Sequence, residues 1–411
     1  MPVGPFSTTS RMSPSPVRTI LPLSIVTCTS MLAMDLYLPA VPLLQRSLGI
    51  DVTLAQATVA VFLAGLAASQ LLWAEAMTRL GPRRSVHLGV WLLVLGSVGC
   101  ALAPNIELLL AMRLLQGVAA GAATVVAPSV VRATLSDADA VRGIATISMV
   151  ESIVPAAGPV LGAALLLHTD WRGLFWMLSA LTLLVLPFVV RVTPHELPGL
   201  DRAVDASYGR IVSNRKYRRL ALSHALCVGA VLTFVASAPQ LMVNALGLGA
   251  SAFATLQVLG VAAFMVMASQ SGRISKRIGP ARAVQGGAWV QVSLCAVLLL
   301  ASLVVKLPFA AVVVFWCGFC GALAVRGPSA FSEALSVPPV QMGRASAMLV
   351  LAILLAGAVG TQLVAPFMDG RSATPLAVAL LTLCVVSIAL VVPYPRSNAT
   401  AVPAASGVGE P

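Results

Sequence analysis

The chain has 411 residues, of which 58% are hydrophobic and only 10% are charged, and its mean hydropathy is +0.94. This composition excludes an ordinary soluble globular protein. The net charge is +12 at pH 7, but the basic residues are dispersed over short loops. We therefore predict a lipid bilayer, and no nucleic acid, as the partner of these charges.

Apolar runs of about 20 residues, the length that spans a bilayer, recur along the whole chain. The first run is too long for the core of a signal peptide, so we expect it to be retained as a helix. The predicted fold is all-α and integral to the membrane, with twelve transmembrane helices in two six-helix bundles. The predicted spans are 19–41, 53–75, 86–104, 106–130, 142–166, 171–192, 219–241, 250–272, 283–305, 308–330, 345–367 and 374–394.

The first predicted span carries an acidic residue, Asp35, inside the apolar run from Thr27 to Leu44. A lone carboxylate in a bilayer costs roughly 2.5–3.5 kcal/mol and by default marks an ion or proton pathway. Asp35 is therefore the candidate proton carrier.

A short basic motif follows the second span and returns after the eighth. The chain reads TRLGPRR at 78–84 and KRIGPAR at 276–282. This repeat predicts two related halves around a site near the membrane midplane, and chance similarity between two basic loops is the alternative. The candidate gating residues are Arg79, Gly81 and Arg83 in the first copy and Arg277 and Gly279 in the second.

The fourth span contains RLLQG at 113–117, in which Arg113 and Gln116 share a helix face. Counting about 1.5 Å per residue from the outer surface places Arg113 roughly 10 Å deep, at about the depth of Asp35. A nearby guanidinium lowers the affinity of a carboxyl group for protons, whereas burial raises it. Arg113 is therefore the candidate modulator of Asp35, and a static ion pair between the two spans is the alternative.

The fifth span combines an acid with a proline- and glycine-rich stretch, VPAAGPVLG at 154–162. Its prolines remove helix hydrogen bonds, and its small residues allow close packing, so a bent and tightly packed helix is expected. Glu151 is either a second protonatable site or a substrate contact. The alternative is a neutral glutamic acid bonded to a carbonyl freed by Pro155. The candidate packing residues are Gly158, Pro159 and Gly162.

Lys and Arg accumulate in cytoplasmic loops. With both termini inside, inner segments hold 20 of the 26 basic residues and outer loops hold four. Both termini are therefore predicted to be cytoplasmic. The bias of 23 Arg against three Lys favours a high-GC bacterium, and so its inner membrane. The predicted organisation is a first bundle at 1–192, a central loop at 193–218, a second bundle at 219–396 and a tail at 397–411.

Other candidate sites are weaker. The CGFC pair, Cys317 and Cys320, lies in an apolar span, and the four histidines are scattered without metal-binding spacing, so no metal is predicted. A phosphate-binding GxxxxGK[ST] loop is missing from the sequence, so no cofactor is expected and energy should come from a gradient. Arg326 lies near the inner end of the tenth span, and its side chain is expected to extend toward the inner membrane surface and Glu333.

Four segments together resemble the major facilitator superfamily: MDLYLPAVP at 34–42, the Arg-x-Gly turn after the second span, RLLQG and VPAAGPVLG. More narrowly, they resemble its twelve-helix drug:proton antiporters of the bicyclomycin and chloramphenicol resistance type. The resemblance implies alternating access and a sealing role for VPAAGPVLG. The chain departs from the family pattern at Ala74 and Thr78, where relatives carry a glycine and an aspartate. This weakens the expected cytoplasmic latch, for which Glu75 is a partial substitute.

The predicted function is proton-coupled export of small, largely apolar drugs by a monomer. Asp35 and Arg113 would handle the proton, Gln116 would be a polar neighbour in the substrate cavity, and Tyr37 and Glu151 would contact the substrate. Export of a siderophore or another endogenous metabolite is one alternative, and a gradient-driven importer or facilitator is another. A membrane enzyme is disfavoured because the sequence offers no nucleophile and base set.

Overall fold

The fold is entirely helical in the residues that this computed structural model describes, which are 16–197, 208–368 and 372–394. The predicted tail at 397–411 and part of the predicted central loop, 198–207, lie outside them. The helices of the first half are α1 (Pro16–Asp35), α2 (Val41–Leu48), α3 (Val52–Leu80), α4 (Pro82–Leu102), α5 (Ile106–Thr134), α6 (Asp137–Glu151), α7 (Val154–Leu165) and α8 (Trp171–Val192).

The second half repeats this pattern after a short helix in the central connection. Its helices are α9 (Tyr208–Ser213), α10 (Arg215–Gln240), α11 (Ala250–Ile278), α12 (Pro280–Val304), α13 (Phe309–Ala334), α14 (Pro339–Val364) and α15 (Thr374–Val391). In the described ranges, twelve helical segments are long and apolar enough to cross a membrane. The prediction of an all-α membrane protein with twelve spans is therefore confirmed. In a bilayer, helices satisfy the backbone hydrogen bonds that lipid cannot.

Two of the spans are interrupted. The first runs over Val17–Leu48, longer than predicted. Its α-helix ends at Asp35 and resumes at Val41 after a 3-10 turn at Leu38–Ala40. Pro39 and Pro42 have no backbone N–H, so they cannot continue the hydrogen bonding of α1. The fifth span breaks in the same way between α6 and α7, just before Pro155. Each break directly follows an acidic residue, Asp35 or Glu151.

Among the described residues, the two halves share one apolar core, which lies toward one side of the molecule. We call the face where α1 begins and α15 ends the terminal face, and the opposite one the far face. One apolar core joins both halves toward the far face, where it includes Leu44 and Leu241. Toward the terminal face the core divides into a first-half cluster around Val130 and a second-half cluster around Leu220. The buried apolar residues of the two halves are therefore in separate clusters toward the terminal face.

A hydrogen-bonded bridge closes the far side. Gln240 at the end of α10 donates its side-chain amide to the Gln45 oxygen on α2 at 3.0 Å, and Asn244 donates to Gln240 at 2.7 Å. Within the described ranges, the Gln45–Gln240 bond is the single side-chain hydrogen bond between the halves. Helix pairs α3–α14 and α7–α11 supply the main packing across the seam.

Candidate functional site

The candidate site begins with Arg113, whose side chain is completely buried in the first half. Its Nε donates to the carbonyl of Thr58 at 3.2 Å, and its Nη1 donates to the carbonyl of Ala33 at 2.9 Å and to the side-chain oxygen of Gln116. Gln116 in turn donates to the hydroxyl of Ser97 on α4 at 2.8 Å. Arg113 therefore ties α5 to α1 and α3, close to the point where α1 ends.

Aromatic rings complete the surroundings of the Arg113 guanidinium. Its central carbon lies 4.3 Å from the ring centroid of Phe62, 4.7 Å from that of Tyr37 and 5.8 Å from that of Phe175. The hydroxyl of Tyr37 is 2.8 Å from that of Thr58. Cation–π contacts of this kind partly compensate a buried cation for its lost hydration. They explain how Arg113 can be buried without an acidic partner.

Asp35 and Arg113 do not form the ion pair that was the alternative expectation from the sequence. The ion pairs among the described residues are Glu75–Arg79 and Lys216–Glu333. Asp35 is only 7% exposed and lines a cavity between the halves. The Arg113 Nη2 nitrogen has no hydrogen-bond partner in the described parts of the chain. Asp35 and Arg113 therefore have separate surroundings in this conformation.

The cavity beside Asp35 is small, apolar and shared by both halves. Its volume is about 210 Å³. Asp35 is its sole charged lining residue in the described structure, and the polar ones are Ser30, Thr124 and Gln257. Met31, Met34, Phe62, Leu63, Leu66, Ala120, Pro155, Val231, Leu232, Val235 and Leu354 form the apolar lining. Such a site can hold a small apolar molecule next to one carboxyl group.

Tyr37 and Gln116, the predicted substrate contacts, do not line this cavity. Tyr37 is 1% exposed and Gln116 is 0% exposed, and both support Arg113. A direct contact with substrate stays a prediction for another conformation. The sequence missed the five cavity residues of the second half because four of them are apolar and look like ordinary packing residues, and the fifth, Gln257, carries no charge that marks it.

Glu151 ends α6 and is half-buried outside the central cavity. It lies beside Thr27 and Cys28 of α1. Thr27 is eight residues before Asp35, so the two acids are roughly 12 Å apart along α1. Glu151 therefore lies between the cavity and the terminal face. Its roles as a second proton site or a substrate contact stay predictions.

The glycines of VPAAGPVLG let α7 lie directly on the break in the first span. A Cβ atom at Gly158 would stand 2.5 Å from the Cβ of Asp35, and one at Gly162 would overlap the carbonyl oxygen of Leu36. Pro159 is buried inside α7. This contact places the predicted packing motif against the candidate proton carrier.

Replacing Gly158 by alanine should therefore destabilise the protein by about 1–3 kcal/mol, the usual cost of overpacking, and reduce transport by displacing Asp35. Gly272→Ala is the matched control, since a Cβ there meets nothing within 4 Å. Alanine favours a helix over glycine by about 1 kcal/mol, so the control should be neutral or stabilising. Thermal unfolding in detergent measures both variants. Equal melting temperatures would contradict this account of Gly158.

The repeated turns connect helices within each half and do not join the halves in this conformation. Gly81 and Gly279 have positive φ angles of 78° and 85°, a conformation that favours glycine. Arg79 pairs with Glu75 on its own helix at 2.7 Å, with both side chains largely exposed. Arg83 contacts the ring of His195 at 3.1 Å. Arg277 lies in the last turn of α11. A latch role for these residues stays a prediction.

Arg326 is not extended toward Glu333, which corrects the expectation from sequence. It is 1% exposed and donates to the hydroxyl groups of Ser223 and Ser387 at 2.8 and 3.2 Å. Glu333 instead pairs with Lys216 at 2.9 Å. The serines that hold Arg326 come from α10 and α15, which the sequence could not bring together.

Twelve spanning helices around a cavity between two halves define a membrane transporter. The chain belongs to the Major Facilitator Superfamily, whose family model matches residues 23–361. This membership identifies a multi-pass membrane transporter and not an enzyme.

Several proteins of known name are similar to this chain. The multidrug resistance protein MdtL of Escherichia coli (strain K12 / DH10B) and that of Shigella dysenteriae are 30% identical over 227 residues, 55% of this chain. The match covers 58% of the length of each relative.

Solved structures share the fold at low sequence identity. The xylose transporter XylE of E. coli, in a partially occluded inward-open conformation, gives a TM-score of 0.72 at 13% identity over 92% of this chain and 97% of that one. An inward-facing, unoccupied bacterial homolog of the human lysosomal transporter Spinster gives 0.68 at 14% identity, over 92% and 95%.

Proposed function

We propose that this protein is a proton-coupled exporter of small, largely apolar compounds, including drugs, that works by alternating access. The observation that carries the proposal is Asp35, an acid at a helix break that lines an apolar cavity between the two halves. The names of the multidrug resistance relatives support drugs as the substrate class. The small cavity favours compounds of the amphenicol or bicyclomycin kind over a large, polar siderophore.

The direction of opening follows from charge. The terminal face carries most of the basic loops, and Lys and Arg accumulate on the cytoplasmic side. We therefore assign the terminal face to the cytoplasm of a bacterium, with the protein in its inner membrane. An opening between the halves at this face would then admit substrate from the cytoplasm, while the Gln45–Gln240 bond joins the halves on the far side.

Protonation and deprotonation of Asp35 would couple drug export to the proton gradient. A carboxylate in an apolar cavity is costly unless it is paired or neutralised. When the far side opens, Asp35 would take up a proton as substrate leaves, and on return to the cytoplasmic side it would release the proton as new substrate binds. The Arg113 Nη2 nitrogen, which has no hydrogen-bond partner in the described parts of the chain, is the proposed donor to the deprotonated form. Glu151, toward the cytoplasmic opening, would relay the proton or contact substrate.

Everted membrane vesicles test this function directly. After acidification of the vesicle interior, a drug that the protein exports should release protons, which a pH-sensitive dye reports. Vesicles without the protein are the control. A facilitator or importer would instead catalyse counterflow of labelled drug without drug-stimulated proton release. That result, or turnover of a lipid or peptide by the purified protein, would reject the proposal.

A further inference from the structure

A crevice of about 470 Å³ opens on the surface of the second half, between α11, α12 and α13. It is lined by apolar residues, including Met267 and Ala322, with Arg282 near the terminal face, where α12 begins. Gly286 forms part of its wall, and a Cβ there would meet nothing within 4 Å. The crevice lies outside the central cavity and shares no lining residue with it.

The internal repeat identifies the equivalent place in the first half. A Cβ at Gly89 would collide with Ala122, and one at Gly287 would lie 3.0 Å from the carbonyl oxygen of Ala322. Similarly, a Cβ at Gly121 would meet Ser69, and one at Gly321 would lie 3.2 Å from Met267. Positions 69 and 89 precede 267 and 287 by the same 198 residues that separate the two heptapeptides. Helices α3, α4 and α5 therefore correspond to α11, α12 and α13.

In the first half, a tryptophan fills this place. The indole nitrogen of Trp73 donates to the carbonyl of Val118 at 2.7 Å, and its ring lies 3.5 Å from where a Cβ of Gly89 would stand. The position 198 residues after Trp73 is Ser271. Its neighbour Gly89 corresponds to Gly287, and Val118 corresponds to Gly318 by the offset of 200 residues that relates Gly121 to Gly321. Both counterparts line the crevice. The second half thus lacks a counterpart of the Trp73 side chain, which fills the equivalent space in the first half.

We propose that this crevice binds one anionic phospholipid, with an acyl chain between α11 and α12 and its phosphate on Arg282. The crevice follows α12 from Arg282 to Val290, roughly 12 Å at 1.5 Å per residue, and lies in a membrane-spanning segment. Lipid tails are as apolar as the helix surface, so attraction comes from filling the space and from charge. Lys276 and Arg277 in the last turn of α11 add positive charge at the same face.

Native mass spectrometry of the full-length protein in mild detergent tests the proposal, with phosphatidylglycerol or phosphatidylcholine added. We expect one phosphatidylglycerol per protein, bound about fivefold more tightly than phosphatidylcholine, because one basic residue at a lipid surface contributes about 1 kcal/mol. Arg282→Gln should remove this preference. Arg84→Gln changes the equivalent residue of the first half and should keep it.

Two variants that fill the crevice complete the test. Ser271→Trp transfers the first-half side chain, and Gly286→Leu introduces the residue found at the equivalent position, Leu88. Both should abolish the bound lipid, while monodisperse elution and an unchanged melting temperature confirm folding in at least one. Equal lipid retention by wild type and the folded variants would overturn the proposal. So would a wild-type dimer that Gly286→Leu converts to monomers, since the occupant would then be a second copy.

Discussion

Replacing Asp35 by asparagine should reduce drug-stimulated proton release from everted vesicles to the level of vesicles without the protein. Asparagine keeps the shape of the side chain but cannot carry a proton, and Asp35 is the sole charged group that lines the described cavity. Counterflow of labelled drug in the absence of a pH gradient should persist, because the cavity itself is retained. The two assays together separate loss of coupling from loss of binding.

The matched control is Asp51→Asn. The Asp51 side chain caps α3 by accepting from the backbone N–H of Leu54 at 2.7 Å, and asparagine caps helices about as well as aspartate. This variant should release protons like wild type. Glu151→Gln is the second arm, because Glu151 is the other acid at a helix break. If Asp35→Asn still releases protons and Glu151→Gln does not, Glu151 is the carrier and the assignment of Asp35 is wrong.

The spans, and the presence of an acid inside the first of them, could be predicted from the sequence because both depend on local composition. An apolar run of about 20 residues has few alternatives to a spanning helix, and a lone acid inside it is conspicuous wherever it points. The position of Asp35 at the end of α1 is harder to predict from the sequence. Pro39 and Pro42 indicate a break nearby, but the exact end of a helix depends on its packing, here against Gly158 and Gly162 of α7.

Partners across the fold could not be predicted at all. Asp35 and Arg113 share a predicted depth, but depth does not fix which way a side chain turns around its helix axis. The structure instead directs Arg113 to the carbonyls of Ala33 and Thr58. The same limit explains the wrong expectation for Arg326. Glu333 was the expected partner because it is close in sequence, whereas Arg326 donates hydrogen bonds to serines on two helices that are remote in sequence.

The far-side seam is held by few specific interactions, which suits a gate. The helix pair with the more extensive contact across it carries buried polar atoms without hydrogen-bond partners in the described structure, namely both amide atoms of Gln56 on α3 and the hydroxyl of Thr361 on α14. An unsatisfied buried group costs about 1–3 kcal/mol, so the closed seam is not optimised for stability. A change of a few kcal/mol at the Gln45–Gln240 bridge should then shift the balance between closed and open states.

Changing both bridge residues to glutamate, Gln45→Glu with Gln240→Glu, should therefore open the far side. Like charges placed together in a buried seam cost several kcal/mol, and each 1.4 kcal/mol changes the ratio of two states about tenfold. A reporter cysteine at Thr124, which lines the cavity, should react at least about tenfold faster with an impermeant maleimide added from the far side. Transport should fall, because the open state can no longer close efficiently.

The matched control introduces the same number of charges with opposite signs, Gln45→Glu with Gln240→Lys. Attraction replaces repulsion, so far-side labelling at the Thr124 position should equal or fall below that of the unmodified bridge. Labelling must be compared with a variant that lacks the reporter, since Cys28 and Cys317 are partly exposed. Equal labelling of the two charged variants would show that the seam opens independently of this bridge. In that case the α3–α14 and α7–α11 contacts, and not the glutamine pair, would hold the far side closed.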